Sequence, residues 1–110
     1  LGRPWEIGKA FDHSAPIGPI RKAAEVAPGG QPLSAAAISL KVNGAVRQSS
    51  DVSKLIWNIA ETIEHLSKYW ALQPGDLIFT GTPEGVAAVV AGDLLEGAVE
   101  GVGELKVRLT

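Results

Sequence analysis

Lys9 stands between Gly8 and Ala10, directly ahead of Phe11-Asp12-His13-Ser14. An ammonium beside an aromatic ring, an acid and a histidine is suited to grip an anionic substrate or to stabilise developing negative charge. A solvated lysine in a proline-rich loop is the plainer environment for the same residues, and lysine favours it. His13 has the chemistry of a general base or metal ligand. The chain's other histidine is His65, and no ligand spacing connects the two. Asp12, Asp76 and Asp93 each adjoin a turn, where aspartate commonly caps its own backbone. Glu61 and Glu64 have helical i, i+3 spacing and could share a metal, but Lys68 follows Glu64 by four residues, so a solvated ion pair is the better expectation. Gly81-Thr82-Pro83-Glu84-Gly85 is more suggestive. A glycine before a threonine lets backbone approach a ligand, and the hydroxyl with adjacent N–H groups can hold a carboxylate. The string lacks the GK[ST] ending of a phosphate loop.

The elements that must position these residues are legible in the pattern. Five of the seven prolines (Pro4, Pro16, Pro19, Pro28 and Pro32) and the pair Gly29-Gly30 fall in the first third of the chain. That density blocks long helices, leaving an irregular segment with a short extended piece near Trp5 to Ile7 and a turn of helix over 21–26. Ile38, Leu40 and Val42 alternate with Ser39 and Lys41, the signature of a half-buried strand. Asn43-Gly44 is a favoured tight-turn pair, and Ala45 to Gln48 returns as a second strand. Ser49, Ser50 and Asp51 offer N-caps, and Val52, Leu55, Ile56, Ile59, Ala60, Ile63, Leu66 and Trp70 share one stripe. These predict a long amphipathic helix over about 51–70. Pro74-Gly75-Asp76 and Ala91-Gly92-Asp93 are similar turns, each leading into a leucine. Leu77 to Thr80 reads as a short buried strand, and Leu94 to Val99 and Glu104 to Leu109 as two more around Gly101-Val102-Gly103. The expected fold is mixed α+β, mostly β.

Composition narrows the function classes. The 110 residues are 45% apolar and 20% charged, with formal net charge −2. This is ordinary globular composition with room for one core. No basic block offers a footprint for nucleic acid or an anionic membrane. With no cysteine, disulfides, thiolate nucleophiles and cysteine-based zinc sites are excluded. No apolar run approaches a membrane span, and no basic-then-apolar leader opens the chain, so the expected location is cytoplasmic. Methionine is also absent, and the first residue is Leu1. The expectation is a piece of a longer chain.

Several strings in order resemble the fumarylacetoacetate hydrolase family. They are Arg3-Pro4-Trp5, Gly8-Lys9-Ala10-Phe11-Asp12 and Ser14-Ala15-Pro16-Ile17-Gly18-Pro19, then Lys41-Val42-Asn43-Gly44 with Arg47-Gln48. The stretch from Pro74-Gly75-Asp76 through Gly81-Thr82-Pro83-Glu84-Gly85-Val86 is similar to the family's most distinctive signature, and Gly92-Asp93 and Gly103-Glu104-Leu105 fit its last strands. The wording is most similar to bacterial acylpyruvases acting on fumarylpyruvate.

The resemblance implies part of a β-roll, a homodimer, and cleavage of a carbon–carbon bond in a 1,3-diketo acid with Mg²⁺ or Mn²⁺. By the same resemblance Lys9 is catalytic and contacts substrate oxygens, while Thr82, with Gly81, holds the substrate carboxylate. An electron sink for the departing enolate is what β-diketone cleavage requires. The family's metal ligands, a Glu-x-Glu pair and an aspartate, precede the lysine segment, and its His–Glu pair lies earlier still. No Glu-x-Glu occurs in this sequence. Residues 1–110 are therefore expected to be the C-terminal portion of one catalytic domain, without metal ligands and inactive alone. The same fold supports oxaloacetate decarboxylation and hydroxy-dienedioate isomerisation, and the residues present do not separate these chemistries. A non-catalytic β-rich oligomerisation module is the reading of another class.

Overall fold

The computed structural model describes residues 12–27, 29 and 31–110. A four-residue helix, α1 (Ala23–Val26), interrupts the proline-rich segment. Arg21 ties it to the sheet: its guanidinium donates to Glu25 Oε2 at 3.0 Å and to the Val102 carbonyl at 3.0 Å. The period-2 alternation then produces β1 (Ala37–Val42), and Asn43-Gly44 turns the chain into β2 (Ala45–Asp51). Both turn residues have positive φ, 52° and 83°, the geometry whose twist matches the flanking strands. β3 (Leu94–Val99) and β4 (Gly103–Arg108) form a second hairpin. Together they make an antiparallel sheet in the order β2-β1-β3-β4.

Asn43 couples the two hairpins. Its N–H donates to the Leu94 carbonyl at 2.8 Å, its Oδ1 accepts from the Leu94 N–H, and its Nδ2 donates to Asp93 Oδ1 at 2.9 Å. The resemblance between the two turns holds in the structure. Asp76 accepts from the Gln73 N–H and Asp93 from the Val90 N–H, at 2.8 and 3.0 Å. Each carboxylate closes its own turn.

The register of β1 on β2 contains a bulge. Lys41 lies opposite Val46 and Leu40 opposite Gln48, so Arg47 has no counterpart. Bulges bend a strand and redirect the side chains beside them.

The long helix expected over about 51–70 is corrected by the structure. Asp51 ends β2 and caps only a single 3₁₀ turn, Val52–Lys54, by accepting from the Ser53 N–H. Leu55 then leaves helical space at φ −59°, ψ 136°, and the α-helix α2 is confined to Ile59–Ser67. Its true start is a reciprocal capping box: Asn58 Oδ1 accepts from the Glu61 N–H while Glu61 Oε1 accepts from the Asn58 N–H. That pairing satisfies two donors that a continuous helix would have used internally. The strand expected over 77–80 is also absent; these residues join no ladder, and Phe79 is 64% exposed. Without cross-strand partners an apolar run has nothing to stabilise it as a strand.

The described core is thin. Ala36 and Val42 are its buried apolar residues, while Ile56 is 97% exposed and Trp70 63%. The Cα radius of gyration is 15.3 Å, against roughly 13 Å for a compact domain of this length. So large an apolar surface is the kind that other protein surface covers. Among the described residues, no helix is long and apolar enough to cross a membrane.

Candidate functional site

The bulge and the end of β2 face the loop formed by residues 80–85. Gln48 is half-buried, and its Nε2 donates to Thr82 Oγ1 at 2.7 Å and to the Pro83 carbonyl at 2.7 Å. At the far end of the loop, Gly85 packs on the bulge itself. A Cβ at Gly85 would lie 2.5 Å from the Arg47 carbonyl oxygen and 3.1 Å from Gln48 Cγ, and Gly85 has φ 102°. Both the contact and the backbone angle demand glycine.

A cavity of about 830 Å³ opens where this loop meets the 3₁₀ turn and the start of α2. Its volume lies within the usual range for small-molecule sites. Val52, Leu55 and Ile59 supply apolar wall, Thr82 supplies a hydroxyl, and Lys54 a cation. Gly81 borders the same cavity, with φ 94° and nothing within 4 Å of the space a Cβ would fill. Its positive φ requires glycine, and the open space leaves room for a ligand.

Of the residues nominated from sequence, Thr82 and Gly81 thus line one cavity, whereas Lys9 lies outside the described residues. So does the extended piece expected near Trp5. His13 is exposed, with φ 61°. His65 sits between Trp57 and Tyr69 in tilted ring contacts, with centroids 4.4 and 5.4 Å away, a packing role. The expected Glu64–Lys68 ion pair does not form; the ion pairs among the described residues are Arg21–Glu25 and Lys106–Glu96. Glu61 is committed to the capping box. Among the described residues no three metal-ligating side chains converge. The described residues do not offer the donor set of a divalent cation.

Two acids are electrostatically distinctive. The Ser53 N–H and hydroxyl, followed by the Ala36 N–H and Lys54, hold the Asp51 carboxyl below the ordinary value. The Val90 N–H, the Asn43 amide and then Arg47 do the same for Asp93. Hydrogen bonds to the charged form are the dominant cause in both.

Sequence reasoning placed Gln48 in the hairpin and gave it no role. Its partners are Thr82 and Pro83, far along the chain, and no local pattern encodes that contact. Asn58 carried a readable signal: Asn-x-x-Glu ahead of an apolar run is a capping-box spacing.

The family model described as "Fumarylacetoacetate (FAA) hydrolase C-terminal" matches residues 1–110. The chain belongs to the fumarylacetoacetate hydrolase family. It is 50% identical over 109 residues to the fumarylpyruvate hydrolase of a Ralstonia species, covering 98% of this chain and 54% of that protein. The crystal structure of Pseudomonas aeruginosa fumarylpyruvate hydrolase, in complex with Mn²⁺ and pyruvate, superposes with a TM-score of 0.91 at 58% identity. That match covers 99% of this chain and 45% of the other. The oxaloacetate tautomerase YcgM of Escherichia coli (strain K12) is 40% identical over 100 residues, 91% of this chain and 44% of that protein. The chain thus spans about half the length of the curated relatives it matches. The family resemblance read from the Lys9, Asn43 and Gly81–Gly85 strings is borne out, as is the mixed α+β class, here a four-stranded antiparallel sheet with short helices.

Proposed function

We propose that the protein containing these 110 residues hydrolyses the carbon–carbon bond of an acylpyruvate, with fumarylpyruvate as the leading substrate. Water adds to the acyl carbonyl, and the bond to the pyruvate methylene carbon breaks. The electron pair departs as the enolate of pyruvate, which takes up a proton. From fumarylpyruvate the products are fumarate and pyruvate. In this reading the Thr82 hydroxyl donates to the substrate carboxylate, Gly81 lets the substrate approach the backbone, and the Lys9 ammonium stabilises the enolate oxygen.

The observation that carries the reading is the identity, over nearly the whole chain, to fumarylpyruvate hydrolases, with Thr82 and Gly81 lining a cavity of small-molecule size. Mg²⁺ or Mn²⁺ belongs to this reading, with ligands outside the described residues. A homodimer also belongs to it, supported by the exposed Ile56, Trp70 and Phe79. Residues 1–110 are read as the C-terminal portion of a single catalytic domain. The likeness to an oxaloacetate tautomerase favours a second reading, in which the same enolate chemistry acts on oxaloacetate.

The test is Lys9→Ala in the full-length protein, assayed on fumarylpyruvate with Mg²⁺. Removing one stabiliser of a developing oxyanion is expected to lower kcat by about 10²–10³. Unchanged turnover would overturn the role of Lys9. Faster turnover of oxaloacetate than of fumarylpyruvate would favour the second reading.

A further inference from the structure

We propose that Gln48 is a positioning residue that orients the Thr82 hydroxyl to donate toward the cavity. This rests on the reading of Thr82 as the holder of the substrate carboxylate, and it assigns a function to a residue outside the Gly-Thr-Pro loop.

The Gln48 amide nitrogen carries two hydrogens and accepts nothing. Nε2 lies 2.7 Å from the Pro83 carbonyl and 2.7 Å from Thr82 Oγ1, with the Glu84 carbonyl more distant at 3.4 Å. The Pro83 carbonyl can only accept, so it fixes which end of the Gln48 amide faces the loop. With that orientation set, Thr82 Oγ1 must accept the other amide hydrogen. A hydroxyl has one hydrogen of its own and two acceptor lone pairs; with one lone pair taken by Gln48 Nε2, the hydrogen points away from Gln48 and is available to a ligand. A carboxylate, which only accepts, is the complement of a hydroxyl held this way.

The backbone supports the same arrangement. The bulge at Arg47 precedes Gln48, and the Arg47 carbonyl meets Gly85 at the other end of the loop. Residues 82–85 are therefore pinned at two points, Gln48 and the Arg47 carbonyl. A bulge that redirects a side chain beside a ligand site is a recurrent device.

The experiment measures pyruvate binding to the Mn²⁺-loaded full-length protein by calorimetry, and steady-state kinetics on fumarylpyruvate. Variants are Gln48→Met, Gln48→Glu, Thr82→Val and the double change Gln48→Met/Thr82→Val, each checked for its thermal midpoint. Gln48→Met and Thr82→Val are each expected to weaken pyruvate by about tenfold, the scale of one hydrogen bond to a charged group. The double variant should be no weaker than about tenfold, because both changes act on the same hydrogen bond from Thr82 to the ligand. For Gln48→Met, KM should rise about tenfold with kcat within about twofold. Gln48→Glu retains the shape but offers only acceptors, so it should weaken pyruvate at least as much. An additive, roughly hundredfold loss in the double variant would overturn the proposal, showing that Gln48 acts apart from Thr82. Full affinity in Gln48→Met or Gln48→Glu alongside a loss in Thr82→Val would also overturn it, leaving the Thr82 reading intact. Full affinity in Thr82→Val would overturn that reading and this inference together.

Discussion

Gly85→Ala tests whether the loop bearing Thr82 is fastened to the bulge, and its cost can be worked from two independent contributions. The first is backbone conformation: Gly85 has φ 102°, and placing an L-residue in such a region costs about 1–3 kcal/mol. The second is the contact, since the new Cβ would lie 2.5 Å from the Arg47 carbonyl oxygen. That neighbour is backbone in a paired strand, so relief requires the loop or the bulge to move, a displacement of the kind that costs about 1–3 kcal/mol. Gly75 provides the control. Its φ is 94°, but nothing lies within 4 Å of its would-be Cβ, so Gly75→Ala carries only the first cost. Thermal unfolding of both variants in the full-length protein isolates the contact. Gly85→Ala should be less stable than Gly75→Ala by about 1–3 kcal/mol, or about 2–12 °C in Tm for a chain of roughly 150–250 residues. Pyruvate affinity should fall with it, because a displaced loop takes Thr82 from its place. Equal destabilisation by the two substitutions would refute the fastening of the loop to Arg47.

Other consequences follow from the same geometry. Asn58→Ala should destabilise the protein by about 1 kcal/mol through loss of the α2 cap, and amide exchange in residues 59–62 should accelerate; unchanged exchange would contradict the capping box. Asp51 and Asp93 are both held below the ordinary carboxylate value of 3.8 by hydrogen bonds made in the folded state. Because folding lowers these values, the stabilisation is fully present above pH 3.8 and disappears as pH falls through the lower folded values. Urea titrations across that range should show stability falling toward acid, and Asp51→Asn with Asp93→Asn should flatten the slope; an unchanged slope would refute the assignment.

The strands were legible because their patterns are local. Ile38, Leu40 and Val42 alternate, Asn43-Gly44 supplies the turn angles, and Leu105, Val107 and Leu109 repeat the pattern near the end of the chain. The helix was misread for a physical reason. Val52, Leu55 and Ile56 continue the apolar stripe of Ile59 and Ile63, yet Val52 and Leu55 line the cavity wall rather than extend the helix face. Periodicity alone does not distinguish those two uses of an apolar side chain, whereas the Asn58-x-x-Glu61 cap does. Leu77 to Thr80 has the composition of a strand but no partner among the described residues. Within the candidate site, Thr82 and Gly81 were readable from their own string. Gln48 was not, because its role depends on a bulge with no sequence signature and on partners separated from it by α2 and the turn at Asp76.

The most direct test of the account is product analysis on the full-length protein with Mg²⁺, offering fumarylpyruvate and oxaloacetate in parallel and following both by proton NMR. Equimolar fumarate and pyruvate are expected from fumarylpyruvate, at a kcat/KM above that for any conversion of oxaloacetate. Recovery of intact fumarylpyruvate, with oxaloacetate consumed or interconverted instead, would contradict it.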